Sequence, residues 1–87
     1  MSYAILVSTR AAKDLDDLPL AQQRRIFATI DGLAIDPRPF GSQSMVGLAD
    51  TYRIKIGDYR VVYVVDDEEQ RVVIARVGHR RDVYRRI

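Results

Sequence analysis

The sequence predicts an α+β fold of order β-α-α-β-β-β, a two-helix hairpin packed on one face of a mainly antiparallel sheet. Three observations carry this. A short apolar run, Tyr3 to Val7, opens the chain. Apolar residues then recur at helical spacing as far as Ala34, with one proline, Pro19, between two stretches. At Thr51 the period changes to two, strictly so to Ile56, and β-branched and aromatic residues then dominate as far as Val77. Helices followed by a run of strands bury their apolar stripes against one side of the sheet and leave its other side open.

The opening run has β-branched content and reads as a buried strand. Ser8 or Thr9 can cap the first helix, whose Ala11, Ala12, Leu15 and Leu18 share a face. Pro19 ends that helix and fits the first turn of the next. In the second helix Ile26, Phe27, Ile30, Leu33 and Ala34 form the apolar face, opposite Gln22, Gln23, Arg25 and Thr29. Pro37 and Pro39 forbid its continuation. Residues 40–50 read as a Gly/Ser-containing loop. Thr51 to Ile56 alternates strictly, with Tyr52, Ile54 and Ile56 on one side and Arg53 and Lys55 on the other. Gly57-Asp58 is a two-residue hairpin turn of the primed type. Tyr59 to Val65 forms the next strand. The acidic turn Asp66-Asp67-Glu68-Glu69 leads to the last, Gln70 to Val77, after which Gly78 opens a polar tail.

At 87 residues the chain has room for one domain, residues 1–87. It is 47% hydrophobic and 30% charged, the composition of a soluble globular protein and not of a disordered or fibrous one. It lacks cysteine, so neither disulfides nor thiolate metal sites hold it. That suits the cytoplasm. No apolar run approaches a membrane span, and the N-terminus reads as a strand and not as a signal peptide. The net charge of +2 is unevenly spread: Arg76, Arg80, Arg81, Arg85 and Arg86 crowd the last twelve residues against Asp82 alone. Of the fourteen cationic residues all but Lys13 and Lys55 are arginine. Its planar, permanently charged fork grips phosphate bidentately, which points to a polyanionic partner, either nucleic acid or an acidic protein.

The hairpin turn fixes a register. With Gly57 and Asp58 as loop residues, Ile56 faces Tyr59, Lys55 faces Arg60 and Ile54 faces Val61. Lys55 and Arg60 are then cross-strand neighbours on the side that also carries Arg53. Like charges directly opposite cost up to about 1 kcal/mol. A sequence serving only its fold would avoid the pair, although long side chains on a solvated face can splay apart. Three cations on the open side argue for an anion site. Val62, Val73, Ala75 and Val77 are expected to floor it. The tail can curl back and bring His79, Arg80 and Tyr84 to one bound phosphate. Read blandly, Tyr84 plugs the sheet edge, His79 is a surface imidazole, and Arg85 and Arg86 are a solvated basic end.

The segments Tyr52-Arg53-Ile54-Lys55-Ile56-Gly57-Asp58-Tyr59-Arg60-Val61-Val62-Tyr63 and Val77-Gly78-His79-Arg80-Arg81-Asp82-Val83-Tyr84 closely resemble the RelE/ParE toxin superfamily. With the Leu48-Ala49-Asp50 lead-in and the two helices, the resemblance spans nearly the whole chain. It implies a RelE-like fold and a toxin of a type II toxin–antitoxin system that enters the ribosomal A site and cuts messenger RNA. The messenger's 2′-hydroxyl would attack the adjacent phosphate, leaving a cyclic phosphate and a free 5′-hydroxyl. Carried over by position, Lys55, Arg60, Arg80 and Tyr84 are the expected catalytic residues. Arg53, His79, Arg81 and Arg85 are expected to bind RNA. Arg53 stands where lysine is common in the family, and arginine cannot readily give up a proton.

The side-chain chemistry agrees with that assignment. Arg60 and Arg80 suit the clamping of charge that develops on a pentacoordinate phosphorus. Tyr84, and after it Lys55, are candidates for proton transfer or, in the case of Tyr84, for stacking on a base. No cofactor or metal is expected. The expected partners are a cognate antitoxin of the RelB type, the ribosome and its messenger, but no membrane. Two other functions use the same features: a ParE-type toxin that inhibits DNA gyrase by binding it, and a non-catalytic RNA- or ribosome-binding module.

Overall fold

In a computed structural model, which describes residues 2–83, the elements follow from local chemistry in the expected order. Strand β1 (Ala4–Val7) is followed by helix α1 (Thr9–Asp16) and helix α2 (Leu20–Leu33). Ser8 caps α1, its hydroxyl oxygen accepting from the Ala11 amide at 3.0 Å. Pro19 stands at the N-cap of α2, one position earlier than expected. Its fixed φ still sets the corner, and its carbonyl accepts from the Gln22 and Gln23 amides. The Gln23 side chain reaches back to donate to the Leu15 carbonyl at 2.7 Å, tying the end of α1 to the start of α2.

After α2 come β2 (Gln43–Ser44), β3 (Thr51–Ile56), β4 (Tyr59–Asp66) and β5 (Arg71–His79). The sheet order is β1-β5-β4-β3-β2. β1 lies parallel to β5 at one edge, with Ala4 beside Arg71 and Val7 beside Ile74. A strand reached from the chain start through two helices cannot be placed by local pairing rules, so the sequence left that position open. The two-residue β2, read from sequence as loop, pairs antiparallel with β3 at the other edge through Gln43 and Ser44. No hydrophobic alternation marks a strand so short.

The β3–β4 register has Ile56 opposite Tyr59, Lys55 opposite Arg60 and Ile54 opposite Val61, as the turn dictated. Gly57 has φ +60°, and Asp58 is not among the residues of positive φ, the pattern of a type II′ turn with glycine at its first central position. The β4–β5 ladder, in contrast, carries a bulge. Val62 pairs with Arg76 and Tyr63 with Ile74, leaving Ala75 as the extra residue.

Both helices pack on one side of the sheet. Ala11, Leu15, Ile26, Ile30 and Leu33 meet Ile56, Val61, Tyr63, Val65, Val72, Ile74 and Val77 in a single buried cluster. Phe27, assigned by period to the apolar face of α2, is 45% exposed, because it lies one step off the Ile26–Ile30–Leu33 stripe that meets the strands. No helix among the described residues is long and apolar enough to cross a membrane.

Candidate nucleic-acid interface

Residues directly opposite one another in a ladder share a sheet face. Arg53 pairs with Val62, Lys55 with Arg60, Val62 with Arg76, and Arg60 with Gly78. These positions therefore form one surface, on the side of the sheet away from the helices, where Ile54, Ile56, Val61 and Val77 cannot reach. The bulge corrects the expected floor. By strict alternation Val73, Ala75 and Val77 all lie beside Arg60. The extra residue at Ala75 reverses the phase, so Val77 turns into the helix-side core while Arg76 and Gly78 take the open side. Val73 keeps its expected side, opposite Val64.

The basic side chains are held in distinct ways. Arg60 folds back over its own hairpin, Nη1 donating to the Gly57 carbonyl at 3.1 Å and to the Tyr59 carbonyl at 2.9 Å. Arg53 reaches across to β2, donating from Nε and Nη2 to Gln43 Oε1 at 3.2 and 2.8 Å. Lys55 is exposed.

Beyond β5 the chain turns back toward the hairpin. The Arg80 amide donates to the Asp58 carbonyl at 2.8 Å, and the Asp82 and Val83 amides donate to the His79 carbonyl at 2.8 and 3.0 Å. Val83 is fully buried yet outside the helix-side core. A Cβ placed on Gly78 would meet Val83 Cβ at 3.7 Å, so Val83 seats the turn on the strand end opposite Arg60. Thus the Arg60 guanidinium and the Arg80 backbone converge on the same Gly57–Tyr59 turn. Arg80 and Arg81 are exposed there.

His79 is not brought to this surface. It pairs with Tyr59 on the opposite face, its ring edge-on to the Tyr59 ring with centroids 6.0 Å apart. Its Nδ1 accepts from the Arg81 amide at 3.3 Å. Tyr84 and Arg85, both predicted site residues, lie outside the described residues.

Two features were not anticipated from sequence. Val83 falls in a stretch that reads as a polar tail, although an apolar residue directly after Arg80, Arg81 and Asp82 is the pattern of an anchor. The second is an enclosed ion pair behind the site: Arg76 Nε donates to Asp14 Oδ2 at 3.0 Å, with the two side chains 12% and 14% exposed. Their separation of sixty-two positions leaves no local trace.

Electrostatics separate this surface from the rest of the molecule. A hollow of about 420 Å³ lies at the far end of the sheet and is lined by Asp50, Asp66, Asp67 and Glu68 with Val64 and Val65. Its carboxylates would repel a polyanion. Beside it Arg38 clasps Asp67 bidentately at 3.2 and 2.8 Å, and Tyr3 donates to the same carboxylate at 2.6 Å. The hydrogen bonds from Arg38, and next from Tyr3, hold the Asp67 carboxyl below the usual carboxylate range. Arg38 also donates to the Tyr52 hydroxyl at 2.9 Å. Tyr63, enclosed beneath, donates to the Pro37 carbonyl at 2.8 Å, and burial raises its phenol above the ordinary value. This network fastens the loop after α2 to the β4–β5 turn. Among the described residues no group of three or more His, Asp or Glu side chains is placed to hold a metal ion.

The chain was compared with known proteins. It matches the family described as the ParE toxin of type II toxin–antitoxin system, parDE, over residues 5–84. It is 38% identical to Toxin RelG of Mycobacterium tuberculosis over 91 residues, spanning 99% of this chain and 100% of that toxin. It is 30% identical to the putative toxin RelE1 of Methanocaldococcus jannaschii over 98% of each. Its fold matches a chain of the archaeal RelE–RelB complex from Pyrococcus horikoshii with a TM-score of 0.82 at 31% identity, covering 95% of this chain and 100% of that one. A chain of the intact E. coli RelBE toxin–antitoxin complex matches with a TM-score of 0.80 at 28% identity, covering 90% and 96%.

Proposed function

The chain belongs to the RelE/ParE family of type II toxin–antitoxin toxins, and from that premise we propose that it is a ribosome-dependent messenger-RNA endonuclease acting without a metal. One observation carries the reading. Arg53, Lys55 and Arg60 share the uncovered side of the sheet, and the turn bearing Arg80 is docked on the hairpin beside Arg60. A sheet face with three cations and no helix over it suits a phosphodiester chain.

In this reading the messenger's 2′-hydroxyl attacks the neighbouring phosphorus. The leaving 5′-oxygen takes a proton, and the products are a cyclic phosphate and a 5′-hydroxyl end. Arg60 and Arg80 hold the phosphoryl oxygens as negative charge builds on them. Arg60 is held in advance by its bonds to the Gly57 and Tyr59 carbonyls and Arg80 by its backbone on Asp58, which limits what must reorganise in the reaction. Lys55, exposed and directly across from Arg60, and Tyr84, next in chain after the Val83 anchor, are the proton-transfer candidates. Arg53, Arg81 and Arg85 hold flanking RNA. His79, set on the other side of the sheet, is left with a lesser part, bracing the turn through the Arg81 amide.

The partner that restrains this activity is a cognate antitoxin of the RelB type. Its chemistry would be acidic and partly helical, so that it competes with RNA for the same cations. The ParE name of the matching family supports a second reading, a gyrase-inhibiting toxin with no nuclease centre. Expression in a host, followed by primer extension on translated messengers, tests the choice. Cuts confined to ribosome-bound codons are expected; DNA-damage signalling without cuts would reject the nuclease in favour of gyrase. Growth arrest that survives both Arg60→Ala and Arg80→Ala would remove the clamp.

A further inference from the structure

The end of β5 that carries the candidate site has no strand neighbour on one side. β1 accompanies β5 only as far as Ile74, and Ala75 is the bulged residue. Beyond that point the exposed edge is satisfied from α1 and its cap. The Ser8 amide donates to the Ile74 carbonyl at 3.0 Å and the Ser8 hydroxyl to the Ala75 carbonyl at 3.2 Å. The Val77 amide donates to Asp14 Oδ2 at 3.0 Å. That oxygen also receives Arg76 Nε, while Arg10 Nε lies 3.6 Å from Asp14 Oδ1. One nearly enclosed carboxylate therefore fastens both the backbone and the side chain of this strand end.

What it fastens is the base of the site. Val77 precedes Gly78, the residue opposite Arg60 and beneath Val83. From there the chain passes through His79 to the Arg80 amide on Asp58. A cleft of about 270 Å³ separates α1 from the C-terminal turn and is lined by Asp14, Tyr59, Arg76, His79, Asp82 and Val83 among others. Beside this cleft Asp14 ties α1 to the end of β5, from which the turn departs. A β5 end without this carboxylate would lose the acceptor of the Val77 amide and the ion pair that holds the Arg76 side chain to α1.

We propose that Asp14 is a positioning residue. By holding Val77 and Arg76 it fixes the end of β5, and with it the turn that sets Arg80 beside Arg60. Its part in cleavage rests on the nuclease reading above; its hold on the turn does not.

Two readouts on the full chain test this, with Asp14→Ala, Asp14→Asn and, as a control for charge, Asp16→Asn, an exposed residue of the same helix. In native-state amide exchange, Asp14→Ala should speed Val77, Arg80 and Val83 about tenfold or more relative to Val65 and Val72. Asp14→Asn, which keeps an acceptor for the Val77 amide, should have a smaller effect. In single-turnover cutting of ribosome-bound messenger, Asp14→Ala should slow the chemical step by about 10- to 100-fold with affinity for the programmed ribosome unchanged. Asp16→Asn should match the wild type in both. Equal acceleration of all amides would reduce Asp14 to a general stabiliser and overturn the proposal, as would unchanged exchange at Arg80 and Val83. Unchanged cutting by Asp14→Ala, in a wild type that cuts, would overturn its catalytic consequence. A wild type that cuts nothing would instead refute the nuclease reading, and amide exchange alone would then decide whether Asp14 holds the turn.

Discussion

Val83→Ala isolates the anchor of the C-terminal turn. The wild-type side chain is fully enclosed and stands outside the helix-side core. Its truncation should therefore loosen the turn far more than the domain. Removing two buried carbons loses about 1.6 kcal/mol of burial at roughly 0.8 kcal/mol each, and a cavity that only partly collapses raises the cost to about 2 kcal/mol. Since 1.4 kcal/mol is tenfold, the turn should open about 30 times more often. Arg80 and Arg81 are trypsin sites within that turn, and cutting there follows the open population when reclosing is fast. Mass spectrometry of a trypsin time course should show scission after Arg80 and Arg81 accelerated about 30-fold, with cuts after Arg24 and Arg25 in α2 far less affected. Equal acceleration at all sites, or none, would refute the claim that Val83 anchors the turn and not the whole domain.

Other perturbations probe separate parts of the account. Arg60→Ala should leave stability within about 1 kcal/mol in urea denaturation, because relief of the Lys55–Arg60 repulsion offsets the loss of one exposed and one part-buried hydrogen bond; messenger cutting should fall by about 100- to 1000-fold. Tyr63→Phe should cost about 1 kcal/mol by the same denaturation assay, through the lost bond to the Pro37 carbonyl. Asp67 has a lowered carboxyl pKa in the fold. Its contribution is present above its unfolded value near 3.8 and is lost as pH falls through the lowered folded value. Thermal melts from pH 5 down to pH 2 should therefore show the wild type losing more stability than Asp67→Asn, and parallel losses would contradict the Arg38–Asp67 clasp.

The parts of the fold legible in the sequence were those set by local rules. The Gly57-Asp58 turn determined the pairing of Lys55 with Arg60, and alternation from Thr51 to Ile56 put Arg53 on the same side. Both depend only on near neighbours. The bulge at Ala75 was invisible because Val72 to Ala75 is continuously apolar, so no alternation marks a change of phase, and one extra residue moved Val77 into the core and Arg76 out of it. His79 went to the far side for the same reason of phase. The parallel place of β1 and the Asp14–Arg76 pair depend on contacts between distant segments, which no window of sequence contains. Site chemistry was legible as cations facing one another at a cost to the sheet; the means of holding the turn was not, since it rests on Val83 and Asp14, residues of ordinary type.

The central claim is that this cationic face makes a phosphodiester break by its own 2′-hydroxyl. Purified chain added to ribosomes halted on a defined messenger, with the chemistry of the new ends determined, tests it most directly. The account predicts a single A-site cut with a cyclic phosphate upstream and a 5′-hydroxyl downstream, persisting in excess chelator. Intact messenger, or a cut bearing a 5′-phosphate, would contradict it.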